Sequence, residues 1–409
     1  MLRRLFLINL KPYNPHQDVT LWLLMFLEGM VILAPWNAIL TALEFFSDQY
    51  NPNNIITVNV YSYMPLSNFL ANIIFQYIAS VKGQKVPYHI KFTLMNLLLG
   101  ASFITLPFIA KYGHSAGQWL LYAMVFVNGS FNAILQASVF GLGGLLPFNY
   151  TIAIMAGNGV IGLLLGAVRM ICLACFPAGE KGEWEGTMLY FVIALVLVLA
   201  GIAGFFLLKR NSLVKSKIDS KSEIASTETI STVWWKIFVE AIIVFLTFVI
   251  TFLVFPAVAL NQTLPFTNKF PTNTASDWNN AILATIFNLF DTIGRFLPIM
   301  LSVYPKDKLY ILLSCRCIFV VSFSVVSLYS RTWACNWFLI VNMVLFAFTN
   351  GYSSSLSMGF GPTNVADENK GIAGNLMSFH LIIGIFVGTA GGVGIYDLLQ
   401  HFIKRRPGH

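Results

Sequence analysis

Asp291 and Arg295 stand four residues apart in Asn288-Leu289-Phe290-Asp291-Thr292-Ile293-Gly294-Arg295-Phe296-Leu297-Pro298, a stretch otherwise apolar enough to cross a bilayer. On a helix, positions i and i+4 share a face, so the carboxylate and guanidinium can pair directly, and Asn288 adds an amide to the same stripe. Each charge costs about 2.5–3.5 kcal/mol at the centre of a membrane helix, so such residues turn toward the bundle interior or a watery cavity. Two readings follow: an ion pair that locks neighbouring helices, or a substrate site. Gln136, midway along another apolar segment, presents a donor and an acceptor together, the pairing that a nucleobase edge requires. Bonding between helices is its competing reading. In Pro35-Trp36-Asn37, a proline that frees backbone groups is followed by an amphipathic ring and an amide. An interfacial belt position is the alternative for Trp36.

These groups need a scaffold, and the composition says which kind. Of 409 residues 57% are hydrophobic and only 10% charged, and the mean hydropathy is +0.72. That excludes a soluble multidomain protein and predicts an all-α polytopic membrane protein. About eleven segments are long enough to cross about 30 Å of hydrocarbon. They fall near residues 20–46, 55–80, 90–110, 119–145, 151–176, 187–208, 234–260, 278–304, 309–329, 337–361 and 370–399. The polar stretch 209–233 reads as a flexible linker, which divides the chain into residues 1–208, with six spans, and 234–409, with five. The opening ten residues are too short for a cleavable signal peptide. The formal charge of +8 sits mostly in short connections, where it sets orientation, and it implies no nucleic-acid partner. Counting those basic residues places the N-terminus in the cytoplasm; with eleven spans the tail Lys404-Arg405-Arg406 then lies outside, against the same rule.

Further residues invite chemistry and are weighed against packing. Glu28 is an unpaired acid within the first span. Asn59, Asn68, Asn72 and Gln76 make part of the surface of the second too polar for lipid, so that part should turn inward. Gly157-Asn158-Gly159-Val160-Ile161-Gly162 matches a dinucleotide-binding pattern, but no strand precedes it and close helix packing explains the glycines better. Arg316 could snorkel, face phosphate or gate. His380 is the histidine well inside a span, with no acid near it in sequence, which argues against an enzyme. Cys172, Cys175, Cys315, Cys317 and Cys335 read as packing residues, so neither a metal nor a cofactor is expected. Asn261-Gln262-Thr263 is the one credible glycosylation sequon.

Taken together, several stretches resemble the equilibrative nucleoside transporter family along nearly the whole chain. They are Pro35-Trp36-Asn37, Gln136-Ala137-Ser138-Val139-Phe140-Gly141-Leu142, Phe255-Pro256-Ala257, Phe290-Asp291-Thr292-Ile293-Gly294-Arg295, Thr349-Asn350-Gly351-Tyr352 and Phe360-Gly361-Pro362. The resemblance implies a major-facilitator-like bundle whose six-helix and five-helix halves rock about a central cavity. It implies that Trp36 packs against a purine or pyrimidine nucleoside and Gln136 bonds the base. Asn288, Asp291 and Arg295 would engage the ribose or shape the cavity, and Asn37 and Met64 would line it. Facilitative transport by alternating access, in a protein of the plasma membrane, is the expectation. Glu28 and Val31 depart from the family pattern, which has apolar and glycine residues there. An acid in that place could carry a proton, so a proton-coupled nucleoside or nucleobase carrier is the alternative.

Overall fold

The computed structural model of the chain describes residues 18–50, 60–83, 86–177, 179–223, 228–260, 264, 275–300, 304–333 and 336–404. Asn59, the Asn261 sequon, Cys335, Arg405 and Arg406 lie outside the described residues. The N-terminal half comprises α1 (Val19–Thr41), the short α2 (Leu43–Tyr50), α3 (Val60–Lys82), α4 (Tyr88–Tyr112), α5 (His114–Leu145), α6 (Phe148–Cys175) and α7 (Glu180–Arg210). Helix α8 (Ser212–Glu223) lies in the connection. The C-terminal half is α9 (Ile230–Val254), α10 (Ala275–Met300), α11 (Leu309–Trp333), α12 (Asn336–Phe360) and α13 (Lys370–Lys404).

Ten of the described helices are long and apolar enough to cross a membrane. The eleventh candidate, α3, has 23 residues but carries Asn68, Asn72 and Gln76, and all three are buried. Its polar face is therefore turned away from lipid, where amides would find no partners. Several span boundaries differ from the expectation, the sixth span running from Glu180 to Arg210 and not over 187–208. The first span closes at Thr41 and the chain restarts as α2, and the seventh stops at Val254, just before Pro256, which has no N–H to continue the ladder. The linker also departs from a structureless chain. Asn211 accepts from Leu213 N at 3.0 Å and so starts α8. That helix is tied to both halves, by Asn211 to Asp18 at 2.5 Å and by Lys217 to Asp367 at 2.9 Å.

Within the N-terminal half α1 packs on α6 and α7, α3 on α5, and α4 on α5 and α7; within the other, α9 packs on α11, α12 and α13, and α10 on α12. Small residues let the backbones approach: a Cβ at Gly29 would strike the Ile154 backbone, and one at Gly157 the Phe26 backbone, so α1 and α6 cross glycine to glycine. Gly294 and Gly351 do the same for α10 and α12. On α7, Val192, Val196, Leu199 and Phe206 are exposed along one stripe while Tyr190, Ala194, Val198 and Phe205 are buried along another. An exposed face of that kind suits hydrocarbon. Two seams join the halves, α6 against α10 and α12, and α13 against α3 and α5.

Candidate functional site

The first seam is built from two matching periodicities. On α6, Gly159, Gly162 and Gly166 recur at i, i+3 and i+7; on α10, Thr285, Asn288, Thr292 and Arg295 do likewise. The helices pack glycine against polar side chain: Gly159 lies on Thr292 and Arg295, Gly162 on Asn288, and Gly166 on Thr285. The glycine stripe is thus packing chemistry, as expected, and its partner is the charged stripe. Asn288 Nδ2 donates to the Gly162 carbonyl at 3.1 Å. Asn37, from α1, reaches the same glycine, with its Oδ1 and that of Asn288 3.4 and 3.1 Å from where a Gly162 Cβ would stand. Its Nδ2 donates to the Leu33 carbonyl at 3.0 Å.

Asp291 and Arg295 pair as their spacing predicts, with Arg295 Nε donating to Asp291 Oδ2 at 2.7 Å and both side chains at most 7% exposed. Arg295 also crosses the seam, donating Nη1 to the Met155 carbonyl at 3.2 Å. The other carboxylate oxygen takes the Asn350 amide of α12 at 2.7 Å. Asn350 Oδ1 accepts from Thr251 Oγ1 at 2.6 Å, and Thr251 accepts in turn from Arg316 Nη2 at 2.7 Å. Arg316 neither snorkels nor faces phosphate. It is fully buried in the C-terminal half, where Nη1 donates to Thr349 Oγ1 and to the Phe346 carbonyl and the guanidinium stands over the Phe346 ring. One carboxylate therefore serves a network containing two guanidiniums, and fixed partners keep that charge from being unsupported in a low-dielectric interior. Asn350, Thr251 and Arg316 were not expected in this role. Asn350 could have been suspected from its place in Thr349-Asn350-Gly351-Tyr352, one of the stretches that carry the resemblance, but Arg316 carries no local signal of burial.

At the second seam Gln136 of α5 donates Nε2 to Ser378 Oγ of α13 at 3.2 Å, and Gln76 of α3 donates to the same hydroxyl. Gln136, Gln76 and Ser378 are all buried. Gln136 stands on the N-terminal half and Asp291 on the other, and neither bonds the other directly. Trp36 packs edge-on against Phe69 of α3 with ring centroids 4.9 Å apart, and Met64 is buried on α3. The seven candidates thus fall into three sets: the α10 stripe with Asn37, the α1–α3 wall with Trp36 and Met64, and Gln136 at the α13 seam. The bonds from Arg295 to Met155, from Asn288 to Gly162 and from the two glutamines to Ser378 run from the middle of the helices toward the end that carries the linker.

Glu28 is placed differently. It lies nine residues before Asn37, which on a helix is close to the opposite face. It is fully buried, its oxygens have no hydrogen-bond partner among the described residues, and Oε1 stands 3.2 Å from where a Gly204 Cβ would be on α7. Val31, one turn on, fills the space over Gly201 in the same way. Glu28 and Val31 are therefore accommodated together by a pair of glycines on α7. His380 is also accounted for by packing, since Nε2 accepts from Trp234 Nε1 at 2.9 Å and Nδ1 meets the Leu376 carbonyl at 2.8 Å. Of the cysteines, Cys172 is buried, whereas Cys175, Cys315 and Cys317 are exposed, and all four are free thiols.

The family model described as nucleoside transporter matches residues 122–234 and 215–393 of the chain. Equilibrative nucleoside transporter 1 of Rattus norvegicus is 28% identical over 93% of this chain and 97% of its own length. Equilibrative nucleoside transporter 2 of Homo sapiens is 24% identical over 89% and 94%, and adenosine transporter 1 of Crithidia fasciculata 22% identical over 89% and 91%. Among solved structures, the major facilitator superfamily proton:xylose symporter XylE bound to 6-bromo-6-deoxy-D-glucose aligns with a TM-score of 0.66 at 12% identity, covering 94% of this chain and 95% of that one. The human organic anion transporter MFSD10 aligns with a TM-score of 0.54 at 11% identity over 95% and 98%. At such identities the likeness is one of fold: a two-half major-facilitator bundle.

Proposed function

The chain belongs to the nucleoside transporter family, and on that premise we propose that it is a facilitative carrier that moves nucleosides across a membrane by alternating access. The observation that carries this reading is the location of the polar inventory. Arg295, Asn288, Gln136 and Gln76 all bond across a boundary between halves, where a carrier must bind its cargo and also come apart. A nucleoside has a flat aromatic body, a donor and acceptor edge and several hydroxyls, and this inventory offers each a counterpart. In this reading Trp36 and Met64 pack the base, Gln136 takes its edge, and Asn37, Asn288, Asp291 and Arg295 form the ribose side.

The side of the membrane facing α8 is cytoplasmic in this proposal, because the short connections on that side hold most of the basic residues, and the plasma membrane is its residence. The facilitative reading is preferred to the proton-coupled one because Glu28 faces α7, away from the stripe that holds Asn37 and Asn288. Nucleobases are the secondary cargo, since Gln136 would address the base and not the sugar.

Uptake of labelled adenosine and uridine into proteoliposomes, with and without an imposed pH gradient, tests this reading. Uptake that equilibrates without the gradient is the expected result. Accumulation only with the gradient, or no uptake of either compound, would overturn it.

A further inference from the structure

The Gln136 amide has one carbonyl and two N–H groups, and a base edge can be read only if their order is fixed. On a mobile side chain the amide could present either end. Here one N–H is committed to Ser378 Oγ at 3.2 Å, in a contact where Gln136 is 3% exposed and Ser378 is fully buried. The hydroxyl accepts from Gln76 as well, and it is the nitrogen end of Gln136 that faces Ser378. What remains is one carbonyl and one N–H, a donor and acceptor pair of defined order.

We propose that Ser378 is a positioning residue for substrate recognition, which orients the Gln136 amide so that it discriminates among base edges. This rests on the reading that Gln136 takes the base. It adds a consequence for the cycle. Ser378 belongs to α13, in the half opposite Gln136, and the contact lies on the part of the seam nearer the linker. The amide is therefore oriented while that part of the seam is closed and loses its orienting partner when the halves separate there. Recognition is sharpest in the closed seam and relaxes on the side where cargo leaves, which is the differential affinity that a ligand needs to bias a conformational equilibrium.

The test compares adenosine with purine riboside, which lacks the 6-amino group, by measuring dissociation constants of the purified full-length carrier in detergent. The native chain should prefer adenosine, and Gln136→Ala should abolish the preference. Ser378→Ala should reduce it about three- to tenfold, the range expected for one net hydrogen bond, and Ser378→Thr, which keeps the hydroxyl, should restore it. Asn375→Ala serves as the structural control, because Asn375 lies one turn away on the same seam, against Gly141, and should leave the preference unchanged. If Gln136→Ala abolishes the preference but Ser378→Ala leaves it intact, the positioning role is overturned while the reading of Gln136 stands. If Gln136→Ala retains it, or the native chain has none, the reading of Gln136 falls and the inference with it. An equal loss in Asn375→Ala would mean that seam integrity alone is responsible, and would also overturn the positioning role.

Discussion

Asn350 of α12 donates its amide to Asp291 of α10 at 2.7 Å, occupying the carboxylate oxygen that Arg295 leaves free. Through Asn350 the same carboxylate is linked to Thr251 and so to Arg316, deep in the C-terminal half. A pair that spacing alone presents as a local ion pair is the centre of a network spanning four helices and touching the opposite half at Met155.

Asp291→Asn should be the most damaging single change in this network. It leaves Arg295 and Arg316 buried without a carboxylate, and uncompensating a buried charge costs about 3–5 kcal/mol. A strongly lowered unfolding midpoint in detergent, with loss of uptake, is the expected result. Arg316→Met should cost less although Arg316 is fully buried, because the Asp291–Arg295 pair stays complete.

Arg295→Ala should abolish uptake, and Arg295→Lys should not restore it. Arg295 uses Nε for Asp291 and Nη1 for the Met155 carbonyl, and a lysine ammonium cannot reproduce that fork. Uptake rates at matched protein levels check both variants.

The glycine stripe of α6 gives a graded prediction. A methyl at Gly159 would stand 2.8 Å from Thr292 Oγ1 and 3.0 Å from Arg295 Cδ, whereas at Gly166 its nearest neighbour is Thr285 Oγ1 at 3.1 Å. Uptake should fall further for Gly159→Ala than for Gly166→Ala. Gly394→Ala, which meets nothing within 4 Å, should behave as the native chain.

Glu28→Gln should leave both the rate of uptake and its pH profile unchanged, because Glu28 has no hydrogen-bond partner among the described residues and faces α7. A pH optimum that disappears in this variant would reinstate proton coupling.

Hydrophobic length and the near absence of charge determined from the sequence that this chain is a bundle of membrane helices. The helical period determined that Asn288, Asp291 and Arg295 share one face, and that the glycines of α6 form another. Periodicity says which residues stand together on a helix, but not which neighbour that face meets. Only the packing of segments distant in sequence decided that the glycines of α6 meet the polar stripe of α10 and that Gly201 and Gly204 make room for Val31 and Glu28. It decided equally that Gln136 meets Ser378 across the second seam, and that Arg316 is not an interfacial residue but a buried one. Each of these pairings joins residues on different helices, and its stability comes from desolvation and hydrogen bonding that exist only once the two faces are in contact.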